Sequence, residues 1–233
     1  MGDAPPRWNA ALDAITPHPD GVDPADELIH ERAYVVRAYR KGDDLLVLRG
    51  AIRDQKPPGL YVPDDPEPLT VHHMILDLHI QVPSLEIVDA NLVMEMHPHL
   101  SCTKIEPHYK NLIGLSIARG FTHKVRELFG GPRGCTHTTA LLQAMAPVAV
   151  QSMWSFRMVK ARTEGVATVL SPEQRREMAV MTNLNTCHIW AEDGAQVASL
   201  RAGEPMEVPV WIIKRMRELG RDHTTWDSWS NDV

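Results

Sequence analysis

The sequence predicts an α+β fold, an antiparallel strand meander followed by helices packed on one face. Two observations carry that expectation. Between Arg32 and Met96 the apolar side chains recur with a period of two, and from Phe121 onward they recur at helical spacing. Strand periods preceding helical ones in a chain point to a sheet with helices laid over it, not to alternating β-α-β units.

Taken in order, residues 1–28 mix Pro, Asp, Gly and His with few apolar anchors, so this segment cannot offset the entropy of ordering and reads as a flexible arm. Arg32 to Arg40 and Leu45 to Ile52 flank Lys41-Gly42-Asp43-Asp44, the turn chemistry of an antiparallel hairpin. Lys56 to Pro68 is studded with prolines, which lack a ladder donor, and forms a long surface connection suited to covering a site. Val71 to Val82 alternates, with His72, Met74, Leu76, Leu78, Ile80 and Val82 on one face and His73, Asp77, His79 and Gln81 on the other. After Pro83-Ser84 the alternation resumes, with Val88, Ala90, Leu92, Met94 and Met96 assigned to the core face.

Phe121, Val125, Leu128 and Phe129 follow helical spacing, and Gly130-Gly131-Pro132-Arg133-Gly134 stops that helix. A second helix should open near Cys135, with Pro147 kinking or restarting it. Ser171-Pro172-Glu173-Gln174 has the form of a capping box. Asn185 to Ala191 and Ala195 to Leu200 read as extended segments paired about Glu192-Asp193-Gly194. Val210 to Leu219 reads as a late helix ended by Gly220, so that one domain spans 29–220 and a tail covers 221–233.

Composition restricts the function. With 24 Lys+Arg against 30 Asp+Glu the formal charge is −6, which offers no footprint for nucleic acid. No apolar run reaches the ~20 residues of a membrane span and the start lacks a signal-peptide pattern, so a cytoplasmic protein with no membrane partner is expected. There are 3 cysteines, an odd number too small for a disulfide framework, beside 12 histidines. No nucleotide-binding glycine fingerprint, G-x-S-x-G elbow or H-E-x-x-H helix is present.

The Cys/His content then carries the chemistry. Cys135 and His137 stand at a predicted helix start, where backbone N–H groups favour anions, lower a thiol's pKa and, at Gly131 and Gly134, could cradle a cofactor's phosphate or carboxylate. Alternatively the glycines only terminate a helix and Cys135 is a small buried residue. Cys102, Cys135 and Cys187 with His72 would make a soft ligand set for zinc or iron, although no C-x-x-C pair supports it. Asp77 or Asp54 could orient a ring nitrogen of His72 or His73, while the Arg53-Asp54-Gln55-Lys56 run more simply reads as a solvated strand end. His72 itself also fits a core histidine satisfied by one hydrogen bond.

Leu112-Ile113-Gly114, Gly120-Phe121, Gly130-Gly131 and above all Gly134-Cys135-Thr136-His137, with Gln151 downstream and Cys102 upstream, resemble the bacterial family called domain of unknown function 2889. The likeness spans Arg32 to about Leu200, with Asp54, Lys56 and Cys187-His188 where that family's features fall. His73 stands in place of an acidic residue and Thr138 in place of leucine, and the first difference weakens a partnership between His72 and an adjacent carboxylate. In layout alone the chain is also similar to iron-sulfur scaffolds of the NifU N-terminal type, which implies thiolates holding zinc or a nascent cluster.

Two classes of function follow. One is an enzyme acting on a small-molecule substrate by hydrolytic or lyase chemistry, with zinc or iron at Cys102, Cys135, Cys187 and His72 or His137. In a metal-free form Cys135 is the nucleophile and His137 or His188 the base. Since C-x-H puts its residues on different faces of a helix, His188 suits that role better. The other is a carrier or scaffold that binds a metal, persulfide or cluster through the same thiols. Homo-oligomerisation is left open.

Overall fold

A computed structural model of the chain describes residues 28–118, 120–164 and 170–226, together with residues 15, 16, 19 and 21. Nearly all of the arm assigned to 1–28, and residues 227–233 of the tail, lie outside the described residues.

Strands β1 (Glu31–Lys41), β2 (Leu45–Lys56), β3 (Leu69–Gln81) and β4 (Glu86–Met96) form one antiparallel sheet in the order β1-β2-β3-β4. This is the predicted meander, with β2 running past the expected end at Ile52 to Lys56. Alternation sends Leu46, Leu48 and Ile52 of β2 and Met74, Leu76, Leu78 and Ile80 of β3 to one buried face. In β4 the alternation is interrupted by register shifts at His73/Met74 and His79/Ile80. The extra residues invert parity at both ends of the strand. Ile87 is therefore buried in place of Val88, and Met96 is exposed, while Met94 stays in the core as expected.

An unforeseen 3-10 helix, Cys102–Leu112, follows β4. Ile105, Tyr109 and Leu112 recur at i, i+4 and i+7, a helical signal that Pro107 in their midst obscures. Its Glu106 accepts a hydrogen bond from the backbone N–H of Met94 at 2.7 Å, which ties the helix to β4.

Helix α1 (Phe121–Phe129) and helix α2 (Thr136–Glu164) complete the core. Pro147 lies inside α2, which continues through it. Gly50 is where α2 meets the sheet: a Cβ there would stand 2.5 Å from Met145 Sδ. The missing side chain thus admits Met145, and Leu141 beside it, into the core. Between α1 and α2, a Cβ on Gly134 would stand 2.5 Å from the Phe129 carbonyl oxygen. Only glycine lets the chain return so closely over the end of α1.

The chain divides into two compact units between Arg157 and Met158, a finer division than the single body predicted over 29–220. The sheet core reaches Phe156, and the buried Val197 and Leu200 do not belong to it. In the second unit, helix α3 (Pro172–Asn183) carries the predicted capping box: Gln174 N–H donates to Ser171 Oγ at 3.2 Å and Ser171 N–H to Gln174 Oε1 at 2.9 Å. The two extended segments are corrected. His188–Trp190 is a 3-10 turn and Ala195–Arg201 is helix α4, because Val197 and Leu200 bury at a spacing of three and not two. Helix α5 (Val210–Glu218) matches the late helix. Among the described residues no helix is long and apolar enough to cross a membrane.

Candidate metal centre

The sheet register builds the centre. Arg32 of β1 stands opposite Asp54 of β2, and Asp54 stands opposite His72 of β3, so the three side chains share one row on the face that carries the core. Asp54 is 1 % exposed, which corrects the solvated strand end expected for this run. The extension of β2 beyond Ile52 is what carries it under cover. A buried carboxylate needs partners. Arg32 supplies two, donating from Nε to Oδ1 at 2.6 Å and from Nη2 to Oδ2 at 2.7 Å.

Two imidazoles complete the shell. His72 Nδ1 lies 3.1 Å and His137 Nε2 3.2 Å from the same oxygen, Asp54 Oδ2. The rings stack with centroids 3.9 Å apart and planes inclined by 29°. His30 Nε2 approaches from the exposed side, 3.8 Å from Oδ1.

His137 reaches this position because α2 begins beside the 3-10 helix. The buried Tyr109 hydroxyl accepts from the Cys135 N–H at 2.9 Å and donates to the Cys135 carbonyl at 3.3 Å. Its ring stacks on Phe129 at 4.6 Å. Burial pushes the Tyr109 phenol up, so it keeps the proton it donates.

Electrostatics set the protonation states. Burial alone would raise the Asp54 carboxyl, but the hydrogen bonds and charge of Arg32, with His137 and His72 adding to them, hold it below the usual carboxylate range. Burial pushes the His72 imidazole down, and its stacked neighbour His137 pushes it further, against the opposing pull of Asp54. Burial likewise lowers His137, with Asp54 opposing and Arg32 adding to the shift. The centre therefore combines an ionised carboxylate with two neutral imidazoles, the forms in which these side chains bind metals.

The spacing fits an ion. A divalent metal about 2.1 Å from each ligand sets neighbouring ligand atoms about 3.0 Å apart at a right angle and about 3.4 Å at a tetrahedral one. The two separations from Asp54 Oδ2 fall within that span, and one ligand atom from each of Asp54, His72 and His137 lies within 4.8 Å of the others. Among the described residues no cysteine belongs to this group.

The predicted site residues are placed as follows. His72 and His137 come together, with Asp54 and not Asp77 as the carboxylate, since Asp77 turns to Arg49 on the opposite face. Cys102 opens the 3-10 helix and packs against the core. Cys135 lies next to the centre, its Sγ 3.9 Å from His137 Nδ1. That contact overturns the expectation that C-x-H separates the two side chains, because Cys135 precedes the first helical residue, Thr136, and escapes helical geometry. Cys187 and His188 lie in the second unit at a 3-10 turn, not in the extended segment expected for Asn185 to Ala191, and Cys187 is exposed. Gly131 has φ +59 in the short turn after α1, and Gly134 serves the close approach described above. Arg32 and Tyr109 were missed. The periodicity of β1 does mark Arg32 as a charge on the core-facing parity, and that was the available signal.

No curated protein and no solved structure matches the chain. The family described as Protein of unknown function (DUF2889) matches residues 30–151, which ends short of the Leu200 expected from the resemblance. That span contains Arg32, Asp54, His72, Tyr109, Cys135 and His137 and leaves out Cys187 and His188. With more than half of its length matched, from the first strand into α2, the chain belongs to the DUF2889 family.

Proposed function

We propose that the chain is a metal-dependent enzyme for a small-molecule substrate, with zinc or iron held by Asp54, His72 and His137. The observation that carries this reading is the convergence of one ionised carboxylate and two neutral imidazoles, from β2, β3 and the first turn of α2, at ligand spacing. Three protein ligands leave positions open for water and substrate. A bound ion of this kind supplies Lewis-acid polarisation of a carbonyl or an activated water, the chemistry of a hydrolase or lyase. Arg32 keeps the carboxylate oriented, and stacking restrains both rings. The loop after Lys56 leaves the sheet two residues beyond Asp54 and exposes Leu60, Tyr61 and Val62, apolar side chains suited to a substrate.

Elemental analysis after loading with zinc, or anaerobically with ferrous iron, tests the reading. About one ion per chain is expected, lost in Asp54→Asn and in a His72→Ala, His137→Ala double variant and kept in Cys102→Ser and Cys187→Ser. A carrier that uses the thiols predicts the reverse pattern. A wild-type protein that binds neither ion refutes the metal reading.

A second reading rests on the 3.9 Å contact between Cys135 Sγ and His137 Nδ1. If Asp54 holds the Nε2–H of His137, its Nδ1 is free to take the thiol proton, which gives a metal-free Cys135 nucleophile with His137 as base. Cys135→Ser separates the two readings, since it abolishes turnover by a nucleophilic thiol, whereas a metal enzyme that uses Asp54, His72 and His137 keeps both its bound ion and its turnover.

A further inference from the structure

The outward face of the sheet carries a pattern unrelated to the metal centre. Val35, Ala51, Ile75 and Val93 stand opposite one another in register and form an apolar row across all four strands. Val35 is 44 % and Val93 39 % exposed, and Tyr39, one row removed from the next, is 47 % exposed. Charge divides this face into halves. On β1 and β2 the outward positions carry Arg37, Lys41, Arg49 and Arg53 against the single Glu31. Strands β3 and β4 contain no Lys or Arg, and their outward positions carry Glu86, Asp77, which pairs with Arg49 of the same sheet, and Asp89, which pairs with Lys110.

We infer that this face is the contact between two copies of the chain, related by a two-fold axis that runs along the strands. Such an axis turns one sheet over and exchanges its edges, so β1 faces β4 and β2 faces β3 while every row meets its own counterpart. Val35 then lies over Val93 of the second copy and Ala51 over Ile75, which closes the apolar row on itself. Lys41 comes over Glu86, and Arg37 comes over the Asn91 row beside Asp89. The basic half of each copy meets the acidic half of the other twice, by symmetry. An alternative rotation across the strands would place basic on basic and acidic on acidic.

The size of the face agrees. Four strands about 5 Å apart, each about 11 residues long at about 3.3 Å per residue, present roughly 700 Å² per copy. A standard stable interface takes about 800 Å² from each partner. Sheets stacked face to face with strands nearly aligned are an ordinary packing mode.

Sedimentation velocity of the full chain over a concentration series tests this with a charge exchange. One variant carries Arg37→Glu with Lys41→Glu, the other Glu86→Lys with Asp89→Lys, and circular dichroism checks that each keeps its secondary structure. The wild type is expected to sediment at twice the chain mass, and each variant alone to dissociate at least tenfold more readily. A one-to-one mixture should recover the dimer, because the reversed halves are again opposite in sign. A wild type that stays monomeric at every concentration overturns the inference, as does a dimer that both variants leave intact or a mixture that fails to associate. Loss of the dimer with the metal stoichiometry unchanged, or the converse, keeps this result separate from the metal reading.

Discussion

Asp54 and His72 face each other across β2 and β3, with Oδ2 and Nδ1 3.1 Å apart on the sheet face otherwise given over to core packing. The strand pairing itself delivers the contact, so the geometry of the centre is as rigid as the ladder that holds it. His137 comes from a separate element, so its position depends on where a helix begins.

Removing the carboxylate should be costly. Asp54→Ala leaves the partly exposed Arg32 guanidinium without its two charge-assisted bonds. Breaking a fully buried pair costs about 3 to 5 kcal/mol, and because Arg32 is 35 % exposed, water recovers part of that, which brings the expectation to about 2 kcal/mol. Urea denaturation of the metal-free protein reads it directly, and a loss under about 0.5 kcal/mol would show that the pair is not a structural element.

Tyr109→Phe keeps the ring stacked on Phe129 and deletes the hydroxyl that clamps Cys135. An unpaired backbone N–H in a closed region costs about 1 to 3 kcal/mol. The sharper consequence is for His137, two residues on, whose ring should lose its fixed approach to Asp54. Metal affinity by competition titration is expected to fall about tenfold or more while the circular dichroism spectrum is retained. Unchanged affinity would remove Tyr109 from the site.

Gly50→Val tests how α2 seats on the sheet. Its branched side chain would meet Met145 and Leu141, an overpacking expected to cost about 1 to 3 kcal/mol. Combining it with Met145→Ala should cost less than the sum of the two single changes, because the cavity accepts the added methyl groups. Strict additivity in the double-mutant cycle would place the clash elsewhere.

Acid should weaken the metal-free protein in two stages. His72 and His137 resist protonation when folded, so the unfolded chain takes up protons first as pH falls below about 6.5 and stability declines until the folded rings titrate. Asp54, held ionised, adds a further loss below about pH 4 that ends as pH falls through its folded value. The urea midpoint is expected to be level between about pH 7 and 8 and to drop toward pH 5, with the first stage reduced in a His72→Gln, His137→Gln variant. A midpoint that rises on going from pH 7 to pH 5 contradicts the assigned burial of the rings.

Local order was largely legible in the chain itself. A period of two writes β3 directly into residues 71–82, and Ser171 with Gln174 specifies a helix start through bonds three residues apart. Ala195 to Leu200 misled because a short run containing Val197 and Leu200 satisfies either period, and burial on one helical side decided it. Asp54 misled in the opposite sense: a charge near a strand end looks solvated until its neighbours are known.

His72, His137 and Cys135 could be named from composition and spacing, because their chemistry belongs to the side chain alone. Which of them converge belongs to the tertiary structure. Strand register decided that Asp54 and Arg32 share a row with His72, and a hydroxyl from the 3-10 helix decided where α2 starts and hence that His137 joins them. The physical reason is that ladder register and helix docking are set by burial summed over many residues, whereas the identity of a ligand atom is fixed by one.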